Sequence, residues 1–236
     1  MYSSFLVVDK FYYKNRIFDL NNPVNRDDYY YPYHVLRQEF LKRNISLNTY
    51  DYFNSHSHKC YNLIFFDIPL NINKLLNYHK GIDKFLVIFE SEVVRPGNWD
   101  KKSHKYFKKI FTWNDNWVDG KKYIKYYWPN KIPKDLHLDV SKKNKLCTMI
   151  VAHKFKSHSL ELYTERMKAV RWFEQNHPED FDLYGMGWDK HYFRGALSRL
   201  NRFEVLTRLL KPNYPAYKGP VKSKREILQK YKFAIC

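Results

Sequence analysis

Glu90 closes a short apolar run, Phe85-Leu86-Val87-Ile88-Phe89, and a carboxylate in that position can do proton chemistry. In an open α/β sheet the loops after the carboxyl ends of parallel strands face the ligand crevice. A carboxylate there, beside apolar neighbours, can have its pKa raised and serve as a general base. The plainer reading is a solvated strand-end acid, or one paired with Arg95; Glu92, two residues on, is a rival for the same role. Arg166 offers a different chemistry. It lies in the first half of a helical pattern after an apolar run, and a helix N-terminus with a cation suits a phosphate. Here the plainer reading is an ion pair with Glu161 or Glu165 on the same helix. Lys218 and Lys222 flank Gly219-Pro220, a turn carrying two lysines. His56-Ser57-His58-Lys59-Cys60 alternates possible metal ligands, but no second ligand pair has matching spacing. A polar loop before a strand is the better account, and no metal is expected. No P-loop, Rossmann glycine fingerprint, nucleophile elbow or Asp-x-Asp motif is present.

The elements that must position these residues alternate between strand and helix patterns. Strands are expected at Phe5–Val8, Asn62–Ile68, Phe85–Phe89, Ile110–Trp113 and Ile124–Trp128. Helices are expected at Val35–Leu41, with Val35, Leu36, Phe40 and Leu41 on one face, and at Ile72–Tyr78. Such alternation predicts a parallel sheet covered by helices. The polar stretch Ser141-Lys142-Lys143-Asn144-Lys145 marks a boundary, giving units over 1–141 and 146–236. The second series holds a strand at Leu146–Ala152 and a helix at Leu160–Phe173 with Leu160, Tyr163, Met167 and Val170 facing inward. A strand at Phe181–Tyr184 closed by Gly185 and Gly187 comes next, then a basic, aromatic, Pro-containing insertion over 189–220. A last amphipathic helix turns Ile227 and Leu228 inward and leads into a buried strand.

The 236 residues carry a net charge of +18, which attracts anions: nucleic acid, acidic lipid headgroups or nucleotide phosphates. The charge is spread along the chain. Three cysteines, none in a Cys-x-x-Cys, cannot build a paired framework and point to a reducing compartment. No apolar run nears the roughly 20 residues of a membrane span. Phe5-Leu6-Val7-Val8 has no basic region before it and reads as a strand, not a signal peptide. A cytoplasmic location, with peripheral contact to an anionic membrane at most, is the expectation.

Several stretches resemble the α1,3/α1,4-fucosyltransferases. Leu228-Gln229-Lys230-Tyr231-Lys232-Phe233 is similar to the opening of that family's donor-site motif, whose acidic continuation would lie past Cys236. Asp182-Leu183-Tyr184-Gly185 resembles its Asp-Val-Tyr/Phe-Gly turn beneath the nucleotide. Glu90-Ser91 matches its Glu-Ser-Pro with the proline displaced, and Phe111-Thr112-Trp113-Asn114 resembles its Phe-Asn-Trp-Thr. Tyr126-Tyr127-Trp128-Pro129 stands where the family closes its first domain. The resemblance implies an α/β, GT-B-like architecture of two Rossmann-like domains, with the second incomplete in this chain. It implies inverting transfer of fucose from GDP-fucose to a sugar hydroxyl of a glycan, with no tightly bound cofactor. Glu90 would be the base, and Arg166, or alternatively Arg171, would hold the diphosphate. Lys218 and Lys222 would lie near the nucleotide, and an incomplete second domain could leave the chain inactive alone. A different class remains open: a single-stranded nucleic-acid module, supported by the charge and by interleaved aromatics such as Lys121-Lys122-Tyr123-Ile124-Lys125-Tyr126-Tyr127.

Overall fold

The computed structural model describes residues 2–53, 60–70, 72–79, 81–132 and 139–236. The chain divides into two compact units, Met1–Pro133 and Lys134–Cys236. The division precedes the expected boundary at 141–145 because that polar stretch is tied to the second unit. Lys143 Nζ donates to the Tyr231 carbonyl at 2.8 Å, and Lys145 already belongs to a strand. The His56–Lys59 stretch lies outside the described residues.

In the first unit β1 (Tyr2–Val7) leads through three short 3₁₀ turns to α1 (Tyr31–Leu41), then β2 (Ile45–Thr49), β3 (Cys60–Phe66) and α2 (Ile72–Tyr78). β4 (Asp83–Val87), α3 (Lys101–His104), β5 (Lys109–Thr112) and β6 (Tyr123–Lys125) complete it. All described pairings are parallel, in the order β2-β1-β3-β4-β5-β6. The central strands β1 and β3 are apolar on both faces over most of their length, as a doubly covered sheet requires. Phe5 and Val7 of β1 join Leu63 and Phe65 of β3 in one core layer. The intervening Leu6 and Ile64 face the opposite layer, with Ile17, Phe18 and Tyr33.

Strand β2 was not expected. Its sequence, Ile-Ser-Leu-Asn-Thr, has too little apolar character to stand out, yet Leu47 and Thr49 are fully buried. On α1 the inward residues are Tyr33, Leu36 and Phe40, while Val35 and Leu41 are exposed, a rotation of the expected face. β4 ends at Val87, not Phe89, so Ile88 to Glu90 already belong to the loop.

The second unit has β7 (Lys145–Ile150), α4 (Tyr163–Asn176), β8 (Phe181–Tyr184), α5 (Glu204–Leu209), α6 (Lys224–Leu228) and β9 (Tyr231–Ile235). Its parallel sheet has the order β8-β7-β9. Met149, Val170, Phe181 and Leu183 form the core, and Phe173 of α4 stacks on Phe181 at 4.6 Å. α4 starts three residues later than expected. The Glu161 carboxylate accepts from the Thr164 backbone N–H at 3.0 Å and caps the helix there. Leu160 is left outside and exposed. Gly185 closes β8 as expected. Its φ is +135°, and a Cβ there would lie 1.9 Å from the Val151 carbonyl oxygen, so only glycine fits. Two apolar expectations at the chain's end fail. Leu228 is exposed while Ile227 is half-buried, and β9 lies at the sheet edge with Phe233 exposed.

Candidate active site

A cleft of about 280 Å³ opens at the carboxyl ends of β1, β3 and β4. This location follows from the sheet order. β1 leads on to β2 on one side and β3 leads on to β4 on the other, so the loops after the neighbouring strands β1 and β3 diverge and leave a crevice between them. Asp9 follows β1, Asp67 follows β3, and Glu90 and Arg95 follow β4. Tyr12, Tyr29 and Tyr33 supply rings and hydroxyls on the wall.

Glu90 lines this cleft, and Glu92 lies in the turn beyond it, where Val94 and Arg95 N–H groups close back on the Ser91 carbonyl. Arg95 Nη2 donates to Asp9 Oδ2 at 2.5 Å, so the cleft's cation is ion-paired with the carboxylate after β1. Burial, and next a hydrogen bond with Tyr29, push the Tyr12 hydroxyl up. Burial and then the charge of Tyr29 do the same for Tyr33. Both therefore remain neutral hydroxyls across the physiological range. Carboxylates that accept, hydroxyls that donate and aromatic faces together suit a polyhydroxylated molecule.

The backbone that presents Glu90 is held by residues the sequence reading passed over. Asp67 Oδ1 accepts from Phe89 N at 2.8 Å, from Glu90 N at 3.0 Å and from Asn98 Nδ2 at 2.6 Å. Asn98 is fully buried; its Oδ1 accepts from Ile68 N at 2.8 Å and its Nδ2 also donates to the Glu90 carbonyl at 3.1 Å. His104 donates from Nε2 to the Asn98 carbonyl at 2.8 Å, which leaves Nδ1 to accept from the Tyr123 hydroxyl at 3.0 Å. Burial first, with smaller contributions from Lys122 and Lys101, outweighs the Asn98 bond and holds the His104 pKa low, so the ring is neutral. The one signal available in the sequence was Asp67 itself. It sits two residues before Pro69 and adopts φ +63°, a conformation aspartate tolerates better than most residues.

In the second unit Arg166 occupies the first turns of α4, and neither expected partner takes it. Glu161 caps the helix, and Glu165 pairs with Lys168 at 2.7 Å. Arg166 Nε is buried with no hydrogen-bond partner among the described residues. Arg171, the alternative, is committed: Nη1 lies 2.6 Å from the buried Glu174 carboxylate and 2.8 Å from the Asn213 carbonyl, and the guanidinium stacks on Tyr214. The helix N-terminus is already occupied by Glu161, so a phosphate role rests on the Arg166 side chain.

Lys218 Nζ lies 3.4 Å from Asp182 Oδ1, in a cluster where Lys145 and the Tyr231 hydroxyl each reach Asp182 Oδ2 at 2.5 Å. Burial alone would raise the Asp182 pKa, but the bonds from Lys145 and Tyr231 prevail and hold it below the usual carboxylate range. Lys222 is exposed. His153, after β7, is buried and unmentioned by motif reasoning. Its ring stacks on Trp188 at 4.3 Å, its Nδ1 lies 3.2 Å from the Gly187 carbonyl, and its Nε2 has no partner among the described residues. Among the described residues, His177, Glu179 and Asp180 are the group close enough to share a cation, and they form an exposed turn after α4.

No family model and no curated protein matches this chain.

Proposed function

We propose that the protein is an inverting glycosyltransferase in which Glu90 deprotonates a sugar hydroxyl and Arg166 stabilises the departing diphosphate. The observation that supports it best is the cleft: Glu90 on the wall of a pocket at the β1/β3 divergence, among tyrosine hydroxyls and carboxylates. The acceptor oxygen attacks C1 of the donor from the face opposite the nucleotide. Its proton passes to Glu90, the C1–O bond to the nucleotide breaks, and the negative charge on the diphosphate falls to Arg166. The resemblance at 181–187 and 217–236 makes GDP-fucose the donor of this reading, with a GT-B arrangement of the two units. Lys218 and Lys222 stay in it as the cationic loop beside the nucleotide; Lys218 would exchange Asp182 for phosphate.

The nucleic-acid alternative finds less support. In its aromatic run Tyr123 and Tyr126 are half-buried, with the Tyr126 hydroxyl on the Ile88 carbonyl at 2.8 Å. Tyr127 is the exposed ring of that run, which is too little for a stacking platform.

The test combines two readouts. GDP release from GDP-fucose over a panel of mono- and disaccharide acceptors should fall about 10²–10⁴-fold in Glu90→Gln and stay near wild type in Glu92→Gln. Calorimetric GDP binding should be unchanged in Glu90→Gln and weakened at least about tenfold in Arg166→Ala. GDP binding that ignores Arg166→Ala would overturn the donor assignment whether or not turnover is detected.

A further inference from the structure

The segment from Arg194 to Lys211 turns a face outward that neither the cleft nor Arg166 uses. Val205 is 82% exposed, Leu209 78% and Leu197 59%, with Phe203 and Leu210 each about half exposed at 48%. The same stretch holds five cations, Arg194, Arg199, Arg202, Arg208 and Lys211, against the single carboxylate Glu204. Isolated exposed aliphatics are ordinary; several within one cationic stretch are not.

The local geometry separates the two characters. Gly195–Arg202 is a 3₁₀ helix, in which residues three apart share a side. Asn201, on the side of Ser198, brackets the chain by donating to the Phe193 carbonyl at 2.9 Å and accepting from the Phe193 N–H at 2.8 Å. That side is the anchored one. Leu197, Leu200 and the following Phe203 form a second side; Arg199 and Arg202 form the third. In α5, Val205 and Leu209 share an outer stripe, while buried Thr207 fastens the turn by accepting from His191 N at 2.7 Å on its carbonyl. Arg202 lies over the exposed Phe203 ring at 4.8 Å and is itself exposed, which places a cation at the level of that ring.

We propose that this face docks the protein on bilayers containing anionic lipid, with Leu197, Phe203, Val205 and Leu209 entering the headgroup–acyl boundary and Arg199 and Arg202 meeting lipid phosphates. The charge is complementary, and the apolar components are chiefly aliphatic: they enter hydrocarbon well and offer nucleic-acid bases little to stack on. The segment lies on the membrane, since no helix among the described residues is long and apolar enough to cross one. Because Asn201 and Thr207 already hold its backbone, docking requires little further ordering.

The test is flotation of the whole chain with phosphatidylcholine vesicles and with vesicles holding about 30% phosphatidylserine. Binding should require the anionic lipid. Arg199→Gln with Arg202→Gln should weaken it about 25-fold, from about fivefold per cation, and Val205→Ser with Leu209→Ser at least about tenfold. Lys10→Gln with Lys121→Gln, exposed lysines of the other unit, should change it by less than about twofold. These three pairs are exposed, so matching circular dichroism and unchanged GDP binding would separate docking from folding and from the donor site. Absence of binding to the anionic vesicles overturns the proposal. So does binding that ignores the serine pair, which is adsorption by the diffuse charge. Tight oligo-dT binding lost in the glutamine pair, with no vesicle binding, would make the face a nucleic-acid surface instead.

Discussion

Replacing Asp67 tests whether the loop carrying Glu90 is built by one carboxylate oxygen. Asp67 Oδ1 accepts the Phe89 and Glu90 backbone N–H groups and the Asn98 amide. In Asp67→Ala the amide keeps its bond to the Glu90 carbonyl, but the two N–H groups lose this acceptor. A stranded buried donor costs about 1–3 kcal/mol; water entering the cleft should keep this near the lower half, about 2–4 kcal/mol for both. The φ of +63° adds about 1 kcal/mol for alanine, which lacks aspartate's tolerance of that region. Asp67→Ala should therefore cost about 3–5 kcal/mol, Asp67→Gly about 1 kcal/mol less because the backbone strain vanishes, and Asp67→Asn only about 1–2 kcal/mol because an acceptor remains. The assay is urea unfolding followed by fluorescence, with hydrogen exchange assigning the loss to the first unit, since two units need not unfold together. Four of the chain's six tryptophans, Trp99, Trp113, Trp117 and Trp128, report on that unit. An alanine variant within about 1 kcal/mol of wild type, or milder than the glycine variant, would refute the account of the loop.

Further outcomes follow from the same contacts. Burial is the leading cause that lowers the pKa values of His79, His104 and His153, so each is neutral when folded and takes up a proton more readily when unfolded. Stability should be level above the unfolded-state value of about 6.5 and should fall as pH drops below it, each histidine contributing up to about 1.4 kcal/mol per pH unit; equal urea midpoints at pH 7.5 and pH 5 would contradict this. Gly185→Ala places a methyl 1.9 Å from the Val151 carbonyl oxygen at φ +135°, and should unfold the second unit by more than about 4 kcal/mol while the first unit's exchange protection is unchanged.

The strand–helix alternation was legible because parallel strands buried on both faces are written as short continuous apolar runs. β3 stood out in this way, whereas β2 did not: a polar strand at a sheet edge leaves almost no hydrophobic signal. Which way a helix turns was less legible. Val35 and Leu228 fit an inward stripe by spacing, but what decides is the neighbour each face meets, and that is tertiary information. At the candidate site, Glu90 was found by its place after a strand, and the residues that present it were not. Asp67, Asn98 and His104 lie up to 37 positions apart, and their link is a chain of hydrogen bonds that no local pattern records.

The two units share a plan, and the difference between them carries the chemical argument. Each sheet runs second strand, first strand, third strand, so each places a divergence of loops beside its first strand. At that point the first unit sets carboxylates and tyrosines: Asp9, Asp67, Glu90, Tyr12 and Tyr33. After its own first strand the second unit sets His153 against Trp188, with Arg166 on the helix that follows. The first set offers hydrogen-bond acceptors and donors that suit a neutral, hydroxyl-rich molecule, and a carboxylate that can take up a proton. The second holds a cation whose Nε lacks a hydrogen-bond partner among the described residues, and, after its first strand, a neutral histidine ring on an indole face. A reaction that takes a proton from one substrate and lets negative charge build on the leaving group of another is served by that division, and transfer from a nucleotide sugar is such a reaction. If Arg166 instead served only to pack against Tyr163, over whose ring it lies at 5.7 Å, then Arg166→Met would keep both stability and GDP affinity. The proposed division of labour requires that stability survive that substitution and GDP affinity fall.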